Sequence, residues 1–496
     1  MSNPLSVRAV SALIVLNIGF IAGPQRVVDQ GTVIENVTVI SPERATPLLR
    51  ADVVIREGRI VEVGTNPVAG PHARRIDGSG RFLIPGLIDS HVHLGHSAAL
   101  DDDAIGAHPE LWAAYRAQVP RAYLAFGFTS VVDLDTTPTD EAWFGGTRLH
   151  PRFYSCGRGI KVAAGYMAFN VPAPSSPNFP NLVYEPKEAS HWPQSLNPRD
   201  YTPERAVSRA ADAGAICVKA FVESGFGMFN WPYLRTDTLQ KIQGVAKQRK
   251  LALIVHANSV DSWRSALDAH ADIMAHGLWV WPGDFGNSAP PPAASSVIAA
   301  ASRLKTRVQP TMQTVAGERA MIDPALLDDP RLVMALPLGV ITYLRSAEGV
   351  QARNALLDEY RKASPPPGFE QLLKAAIERT RATFKIMLQK HVPLIFGSDT
   401  PGVDGFGNPP GLNGRLELQN WADAGAPLAL ILRAATLDNA IALELSHELG
   451  SIEVGKRADL LLLKENPLTN VSAYDSIETI FLNGEPIARA DLRAHE

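Results

Sequence analysis

Eight short apolar segments, each with the length of a β-strand, recur between residues 87 and 400, and helical patterns separate several of them. Strands that alternate with helices predict parallel strand pairing through helical crossovers, and therefore an α/β fold. Eight such units in about 350 residues predict a (β/α)8 TIM barrel with insertions. The predicted strands are residues 87–94, 129–135, 152–158, 215–222, 252–257, 272–277, 307–312 and 394–400.

Both ends of the chain carry a different pattern, in which short strands are joined by turns. It occurs at residues 31–41 and 51–64, and again at residues 450–463 and 477–487. We expect the two ends to form one small β-sandwich domain, with the barrel domain inserted between them. The expected limits are 24–85 plus 447–496 for the sandwich and 86–446 for the barrel, with insertions at about 159–200 and 313–370.

The N-terminus, residues 1–23, is similar to a signal peptide. One arginine is followed by about fifteen mostly apolar residues. This length suits the core of a signal peptide and is short for a membrane span. We therefore expect an exported protein, periplasmic or extracellular, with an uncleaved N-terminal anchor or a cytoplasmic protein as the alternatives.

The chain has two cysteines, Cys156 and Cys217, and both lie in apolar, strand-like segments. Two cysteines cannot form the framework of several disulfides that stabilises small secreted domains. We expect both residues to be buried free thiols.

Side chains that can bind a metal ion lie at the ends of five predicted strands. His91 and His93 are two residues apart at the end of the first strand, so both project from the same face. The C-terminal ends of parallel barrel strands open onto one face of the barrel, so side chains from several strands can converge there. Four imidazoles, a carboxylate and a lysine suit a divalent metal, and the nitrogen ligands favour Zn²⁺. The six residues are His91, His93, Lys219, His256, His276 and Asp399.

The motifs around these residues resemble those of the amidohydrolase superfamily, the metal-dependent hydrolases built on a barrel with a flanking β-domain. The resemblance extends over essentially the whole chain after the leader. It indicates the imidazolonepropionase-like and Xaa-Pro dipeptidase-like (prolidase-like) branch. The motifs are PGLIDSHVHL, GFTSVVDLD, AICVKAF, IVHAN, MAHG, FGSDT, AATLDNAIAL and GSIEVGKRADLLLL.

The resemblance implies a role for each of the six residues. Lys219 matches a lysine that reacts with CO₂ and becomes a carbamate bridging two metal ions, and burial of this lysine would supply the neutral amine that the reaction needs. The more buried ion would be held by His91, His93 and Asp399, and the second ion by His256 and His276.

The same resemblance implies a hydrolase in which a hydroxide bridging two Zn²⁺ ions, or two ions of another divalent metal, attacks a carbonyl carbon. Asp399 would take the hydroxide proton and pass it to the leaving group. The expected substrate has an amide, peptide-type or cyclic amide C–N bond, as in dipeptides and N-acyl amino acids.

Three alternatives stay open from the sequence. A mononuclear enzyme of the imidazolonepropionase or deaminase type would not use Lys219 as a carbamate. An esterase or lactonase could use the same ligands. A metal-binding or ligand-binding protein could keep the fold without catalysis.

Candidate substrate contacts lie in loops after the predicted strands. Tyr233 and Arg235 follow the fourth strand and could bind a substrate carboxylate, and His96 follows the first strand and could contact substrate. For each of the three, an ordinary loop position is the alternative. Asn258 stands where prolidase-like proteins often have a second histidine, which leaves the substrate open.

Charge and composition favour a small-molecule substrate. The chain has 47 basic and 51 acidic residues, a formal net charge of -4, and no block of lysine and arginine that would indicate nucleic-acid binding. We expect no stable membrane partner beyond an N-terminal anchor. The relatives commonly assemble, so a homo-oligomer is among the expectations.

Overall fold

The structure, a computed structural model, describes residues 27–64, 68–176, 178–281, 287–402 and 405–494. These residues form an α/β protein with one mixed sheet, two parallel sheets and a two-stranded pair. The predicted leader, residues 1–23, lies outside the described residues. Within the described ranges, no helix combines the length and the apolar character that a membrane crossing requires.

Among the described residues, seven strands precede the first predicted metal-binding motif, and most of them belong to the mixed sheet. The third and fourth of these strands are joined by a tight turn at Glu57 and Gly58, which both have positive φ, as hairpin turns require. The seven strands are β1 (Val27–Val28), β2 (Thr32–Val39), β3 (Leu48–Arg56), β4 (Arg59–Gly64), β5 (Val68–Ala69), β6 (Arg74–Asp77) and β7 (Phe82–Pro85).

Nine strands in the middle of the chain pair in parallel. They are β8 (Leu87–Val92), β9 (Phe128–Asp133), β10 (Arg152–Ser155), β11 (Ile160–Lys161), β12 (Asn181–Leu182), β13 (Cys217–Phe221), β14 (Ala252–His256), β15 (Ile273–Ala275) and β16 (Arg307–Gln309). One sheet has the order β10-β9-β8, and the other has the order β12-β11-β13-β14-β15-β16. The Ile216 amide donates to the Ser155 carbonyl oxygen at 2.9 Å and links β10 to the residue that precedes β13.

Seven of the eight predicted parallel strands overlap β8, β9, β10 or β13–β16, and the eighth, residues 394–400, is not a regular strand. Isolated parallel bridges join Leu394 to Val308 and Thr400 to Val92, so this segment lies between β16 and β8. Asp399 has a φ of 57°, in the left-handed region, which interrupts the extended backbone that a strand needs.

Three C-terminal strands complete the mixed sheet. They are β17 (Leu460–Leu463), β18 (Ile477–Leu482) and β19 (Glu485–Ala488). The sheet has the order β19-β18-β17-β7-β2-β3-β4, with β6 also paired to β2. β17 runs antiparallel to β7, so the two ends of the chain share one sheet. The sandwich packing and the domain limits stay predictions.

Fifteen α-helices are present in the described residues. Several start at a side-chain cap: the Thr202 hydroxyl accepts a hydrogen bond from the Arg205 amide, and Ser259 and Ser262 form a reciprocal capping box. The helices are α1 (Asp102–Ala107), α2 (Pro109–Ala125), α3 (Pro138–Gly145), α4 (Pro203–Asp212), α5 (Thr236–Gln248), α6 (Val260–Asp268), α7 (Pro292–Leu304), α8 (Met312–Gly317), α9 (Leu332–Ala335), α10 (Leu338–Arg345), α11 (Ala347–Ala363), α12 (Phe369–Gln389), α13 (Leu412–Asp423), α14 (Leu428–Arg433) and α15 (Asn439–Ala442).

The two predicted insertions differ in structure. The first, 159–200, contains the short strands β11 and β12 and two 3₁₀ turns, Pro186–His191 and Pro198–Asp200. The second, 313–370, contains α9, α10 and α11. The apolar side chains of α11 and α12 pack with those of α8 in a separate cluster that includes Val315, Leu357 and Phe369.

The expectation of free thiols is wrong. Cys156 and Cys217 form a disulfide bond, with Cα atoms 4.5 Å apart. The two residues are 61 positions apart in sequence, but the hydrogen bond between Ile216 and Ser155 places them side by side on neighbouring strands. Their partners in the apolar core include Val132, Ile254 and Ile395.

Candidate metal centre

Strand β8, the first of the parallel strands, positions His91 and His93, the first two predicted metal ligands. In β8 every residue is buried, and the strand ends at Val92 between His91 and His93. His91 is fully buried and His93 is partly exposed. The His91 Nε2 atom lies 3.3 Å from the His93 Nε2 atom, so the two rings face one point, as their spacing predicts.

Asp399 reaches the same point from the segment between β16 and β8. Its Oδ1 atom lies 3.0 Å from His91 Nε2 and 3.1 Å from His93 Nε2. The Asp399 amide donates to the His91 carbonyl oxygen at 2.7 Å, which fixes the two segments together. Gly397 allows this close approach, because a Cβ atom there would lie 2.7 Å from the His91 Cβ atom.

The electrostatics of this group suit a cation. Burial, with the charge of Lys219, lowers the pKa of His91 to about 3, so its imidazole is neutral and can act as a ligand. Burial tends to raise the pKa of Asp399, but His91, His276 and His93 outweigh it and hold that pKa well below its usual value. The neutral His91 imidazole, the His93 imidazole and the Asp399 carboxylate therefore converge, with ligand atoms within 4.8 Å of one another.

The fourth-strand lysine lies beside this group. Lys219 is fully buried on β13, and its Nζ atom lies 3.4 Å from His91 Nε2. Burial lowers the pKa of Lys219 to about 7, because the charged form loses its hydration. A substantial fraction of this amine is therefore neutral at physiological pH.

The two remaining predicted ligands approach from the other side of Asp399. The His276 Nδ1 atom is 3.7 Å from Asp399 Oδ2 and 2.9 Å from the Thr311 hydroxyl. The ring centroids of His256 and His276 are 4.5 Å apart. All six predicted ligands thus lie at one site, five of them along the wall of one cavity and His91 behind them.

Glu223 is a feature of the site that the sequence did not indicate. Its Oε2 atom lies 3.3 Å from His256 Nε2, and its Oε1 atom accepts hydrogen bonds from the amides of Gly225 and Phe226, both at 2.6 Å. Burial tends to raise the pKa of Glu223, but His256 and these amides hold it below its usual value. The position of Glu223 two residues after β13, close to a predicted ligand, is the signal that could have identified it.

A buried ion pair, Lys161 with Asp135, lies near Lys219. The Lys161 Nζ atom is 2.5 Å from Asp135 Oδ2, and both side chains are almost fully buried. The ammonium groups of Lys161 and Lys219 lie 5.1 Å and 5.2 Å from the ring centroid of Phe221. The charges of Lys161 and Asp135 therefore act on Lys219, although neither residue is a predicted metal ligand.

The predicted substrate contacts separate into two groups. His96 lines the cavity, with its ring stacked 5.5 Å from that of His93. Tyr233 and Arg235 are not among the described residues that line the cavity. Arg235 donates to the Tyr233 hydroxyl at 2.6 Å and forms an ion pair with Glu188, so these loop residues bind each other and not the cavity.

The cavity itself has a volume of about 480 Å³. Aromatic side chains form much of its wall, and α8, α11 and α12 supply another part of it. A cavity of this size and polarity is typical of a small-molecule site. The aromatic residues include Tyr166, Phe169, Phe226, Phe229, Trp231 and Trp279.

Comparison with known protein families agrees with this geometry. The amidohydrolase family model matches residues 82–487. Among solved structures, a prolidase complexed with N-methylphosphonate-L-proline has a TM-score of 0.65 and 22% identity, and covers 92% of this chain and 99% of its own. A Xaa-Pro dipeptidase with bound methionine has a TM-score of 0.62 and 19% identity, with coverage of 92% and 99%. At these identities the two structures establish similarity of fold.

Curated relatives match over shorter stretches. A dihydroorotase of Trichlorobacter lovleyi is 36% identical over 86 residues, which are 17% of this chain and 18% of that protein. A D-hydantoinase of Rhizobium radiobacter is 39% identical over 62 residues, 12% of each chain. The aligned stretch is thus less than a fifth of the length of either relative.

Proposed function

The chain belongs to the amidohydrolase family, and from this premise we propose that it is a metal-dependent hydrolase of C–N bonds. The bond is an amide, peptide-type or cyclic amide bond, and dipeptides and N-acyl amino acids are the first substrates to test. The observation that carries this proposal is the convergence of His91, His93 and Asp399 within 3.3 Å of one another, beside the cavity that His93 and Asp399 line.

We propose that the resident metal is Zn²⁺, or another divalent ion, with two ions per chain. His91, His93 and Asp399 would hold one ion, and His256 and His276 the second. The Lys219 amine would add to CO₂, lose a proton and become a carbamate, which would supply anionic oxygen ligands to the metal. The lowered pKa of Lys219 supports this role, because only a neutral amine attacks CO₂.

A bound divalent metal would polarise the substrate carbonyl and lower the pKa of water in the site. The Asp399 carboxylate, which is ionised at neutral pH, would accept a proton from the attacking water. It would then donate that proton to the leaving nitrogen as the C–N bond breaks, which yields a carboxylic acid and an amine. His96, on the cavity wall, is placed to contact the substrate.

A mononuclear enzyme is the second candidate, and one contact favours it. Glu223 holds the Nε2 atom of His256 at 3.3 Å, so that His256 has a partner without a second ion. In this case His91, His93 and Asp399 would hold the single metal and Lys219 would stay an amine. Ester or lactone hydrolysis on either form of the site would use the same groups.

We further propose a (β/α)8 TIM barrel for residues 86–446 and a β-sandwich for residues 24–85 plus 447–496. The hydrogen bonds and bridges that connect neighbouring strands from β8 through β16 to residues 394–400 support the barrel. We propose that residues 1–23 direct export. The disulfide between Cys156 and Cys217 supports this, because such bonds persist in oxidising compartments. Assembly into a homo-oligomer stays a prediction.

The test is the metal content per chain, measured by elemental analysis on protein purified with bicarbonate and without chelators. For the two-metal site we expect about two equivalents in the wild type and about one in Lys219→Ala. Lys250→Ala, which removes an exposed lysine, is the control and should retain the wild-type content. About one equivalent in both wild type and Lys219→Ala would establish the mononuclear alternative. No metal would contradict the proposed function.

A further inference from the structure

The wall of the cavity near the metal-binding residues is a stack of aromatic rings. The ring of Phe229 is 5.0 Å from that of Trp231 with an interplanar angle of 6°, and Trp231 is 5.7 Å from Tyr166 at 15°. Tyr166 in turn lies 5.0 Å from the ring of His256. The stack therefore runs from the cavity mouth to a predicted metal ligand, and lines the path to the reacting bond with apolar ring carbon.

The outer end of this stack is exposed. Phe229 is 43% exposed, Phe169 is 49% exposed and Met228 is 39% exposed, and all three line the mouth of the cavity. Phe169 packs edge-on against Trp231 at 4.9 Å. Large apolar side chains grouped at a concave site are typical of a surface that an apolar ligand covers.

A second wall of the cavity is also apolar. Trp279 lies 5.7 Å from the ring of His276, and Phe369, Leu373 and Val315 continue this wall. A substrate between the two walls would contact aromatic and aliphatic carbon on both sides. Such a site stabilises a ring more than a polar group of the same size.

The charged residues of the cavity do not provide a site for a substrate carboxylate. Among its described lining residues the lysine and arginine side chains are Lys219, beside the metal centre, and Arg379. Arg379 donates to the carbonyl oxygens of Asn287 at 2.9 Å and Trp279 at 3.3 Å, and its guanidinium lies 4.3 Å from the ring centroid of Trp281.

Acidic side chains line the same cavity. Glu318 and Glu359 both contribute to its wall. Together with Asp399 they give the cavity carboxylates on the metal side and on the side of α11. On the side of α11, away from the proposed metal ions, a substrate carboxylate would therefore lie near like charge, whereas a neutral substrate would not.

We propose that the cavity selects uncharged amides that carry an aromatic ring next to the scissile bond, in preference to dipeptides and N-acyl amino acids with a free carboxylate. This inference rests on the proposed hydrolase function and specifies its substrate class. In this proposal the aromatic stack contacts the ring of the substrate, and Trp231 makes the central contact.

The test uses four substrates that differ in two features, with the metal-loaded enzyme. N-(2-phenylethyl)acetamide and N-acetyl-L-phenylalanine differ only by the carboxylate. N-ethylacetamide and N-acetyl-L-alanine are the same pair without the ring. We expect kcat/KM for N-(2-phenylethyl)acetamide to exceed that of each of the other three by about ten-fold or more.

Two variants connect the preference to the stack. Trp231→Ala is expected to lower the ratio of kcat/KM for N-(2-phenylethyl)acetamide to that for N-ethylacetamide by about ten-fold. Leu338→Ala also removes a partly exposed apolar side chain, but at the start of α10, outside the cavity, and should leave this ratio unchanged.

The outcomes separate this inference from the proposed function. Equal or faster cleavage of N-acetyl-L-phenylalanine, or equal rates with and without the ring, would overturn the inference and leave the hydrolase intact. If no substrate is cleaved, the proposed function fails for these amides, and tryptophan fluorescence decides the inference. Binding of the neutral phenyl amide that exceeds binding of N-acetyl-L-phenylalanine and is weakened by Trp231→Ala would support it, and the reverse would overturn it.

A second copy of the chain is the other occupant that the exposed rings could accept. Sedimentation of Phe229→Ala tests this directly. A smaller assembly than the wild type, with an unchanged substrate preference, would make the mouth a protein interface and overturn the proposal. An unchanged assembly with a reduced phenyl preference would support it.

Discussion

Removal of the disulfide between Cys156 and Cys217 should lower the stability of the protein without changing its metal site. The bond links β10, through the residue after it, to the first residue of β13, two positions before Lys219. Parallel pairing of Cys217 with Ala252 and of Lys219 with Ile254 continues to hold β13 when the bond is absent. We therefore expect an effect on the unfolding free energy and none on metal content.

The magnitude follows from the length of the loop that the bond closes. With a sequence separation of 61, the chain-entropy relation gives about 4 kcal/mol of stabilisation at 25 °C. Native disulfides typically contribute about 2–5 kcal/mol, so the value lies within the observed range. The substituted side chains are fully buried, and Cys→Ala adds a loss of packing that reduction alone does not.

The assay is equilibrium unfolding in urea of the wild type with and without dithiothreitol, and of Cys156→Ala/Cys217→Ala. The reduced wild type isolates the cross-link, and the double variant adds the loss of the two sulfur atoms. We expect the midpoint to fall by about 1 M or more in both. Two free thiols in the denatured, non-reduced wild type, together with an unchanged midpoint, would refute the reasoning.

Two further predictions concern the buried charges near the site. The first is the rate at which the metal-free enzyme regains activity when Zn²⁺ is added at a constant concentration of dissolved CO₂. This rate should rise about ten-fold from pH 6 to pH 8 and then level off, because the neutral fraction of Lys219 increases as the pH passes its pKa of about 7. A rate that still rises at pH 10 would contradict the lowered pKa of Lys219. The second is that Asp135→Asn should lower the free energy of unfolding in urea by about 3–5 kcal/mol. The substitution removes the carboxylate that lies 2.5 Å from the Lys161 Nζ atom, and leaves that ammonium group buried without this partner. The exposed pair of Arg264 and Asp261 is the control, and Asp261→Asn should cost less than about 1 kcal/mol; equal losses would remove burial as the cause.

The sequence predicted the part of the site that depends on local pattern. His91 and His93 are two residues apart on a strand, so their common direction follows from strand geometry alone. The positions of Lys219 within β13 and of His256 at the end of β14 follow from the same alternation of strands and helices. Parallel pairing then brings these strands together without further information from the sequence.

The features that the sequence did not predict depend on contacts between distant residues. The disulfide joins two cysteines 61 positions apart, and only the order of the strands makes them neighbours. Arg235 follows the fourth strand, as expected for a substrate contact, but Glu188 from the first insertion binds it. Residues 394–400 have an apolar strand pattern, but the backbone of Asp399 is left-handed and interrupts the extended conformation. The segment therefore pairs through two isolated bridges and not as a regular strand.

The two halves of the metal centre differ in how far the protein alone has assembled them. His91, His93 and Asp399 already lie within 3.3 Å of one another, so a first ion needs no rearrangement of these side chains. His256 instead has Glu223 as a partner. In the proposed two-metal site, metal retained by Lys219→Ala would belong to the first group, because that group does not include the carbamate. A second ion would compete with Glu223 for His256 and would depend on Lys219 to offset that contact, which is why the metal content of this one variant distinguishes a two-metal enzyme from a mononuclear one.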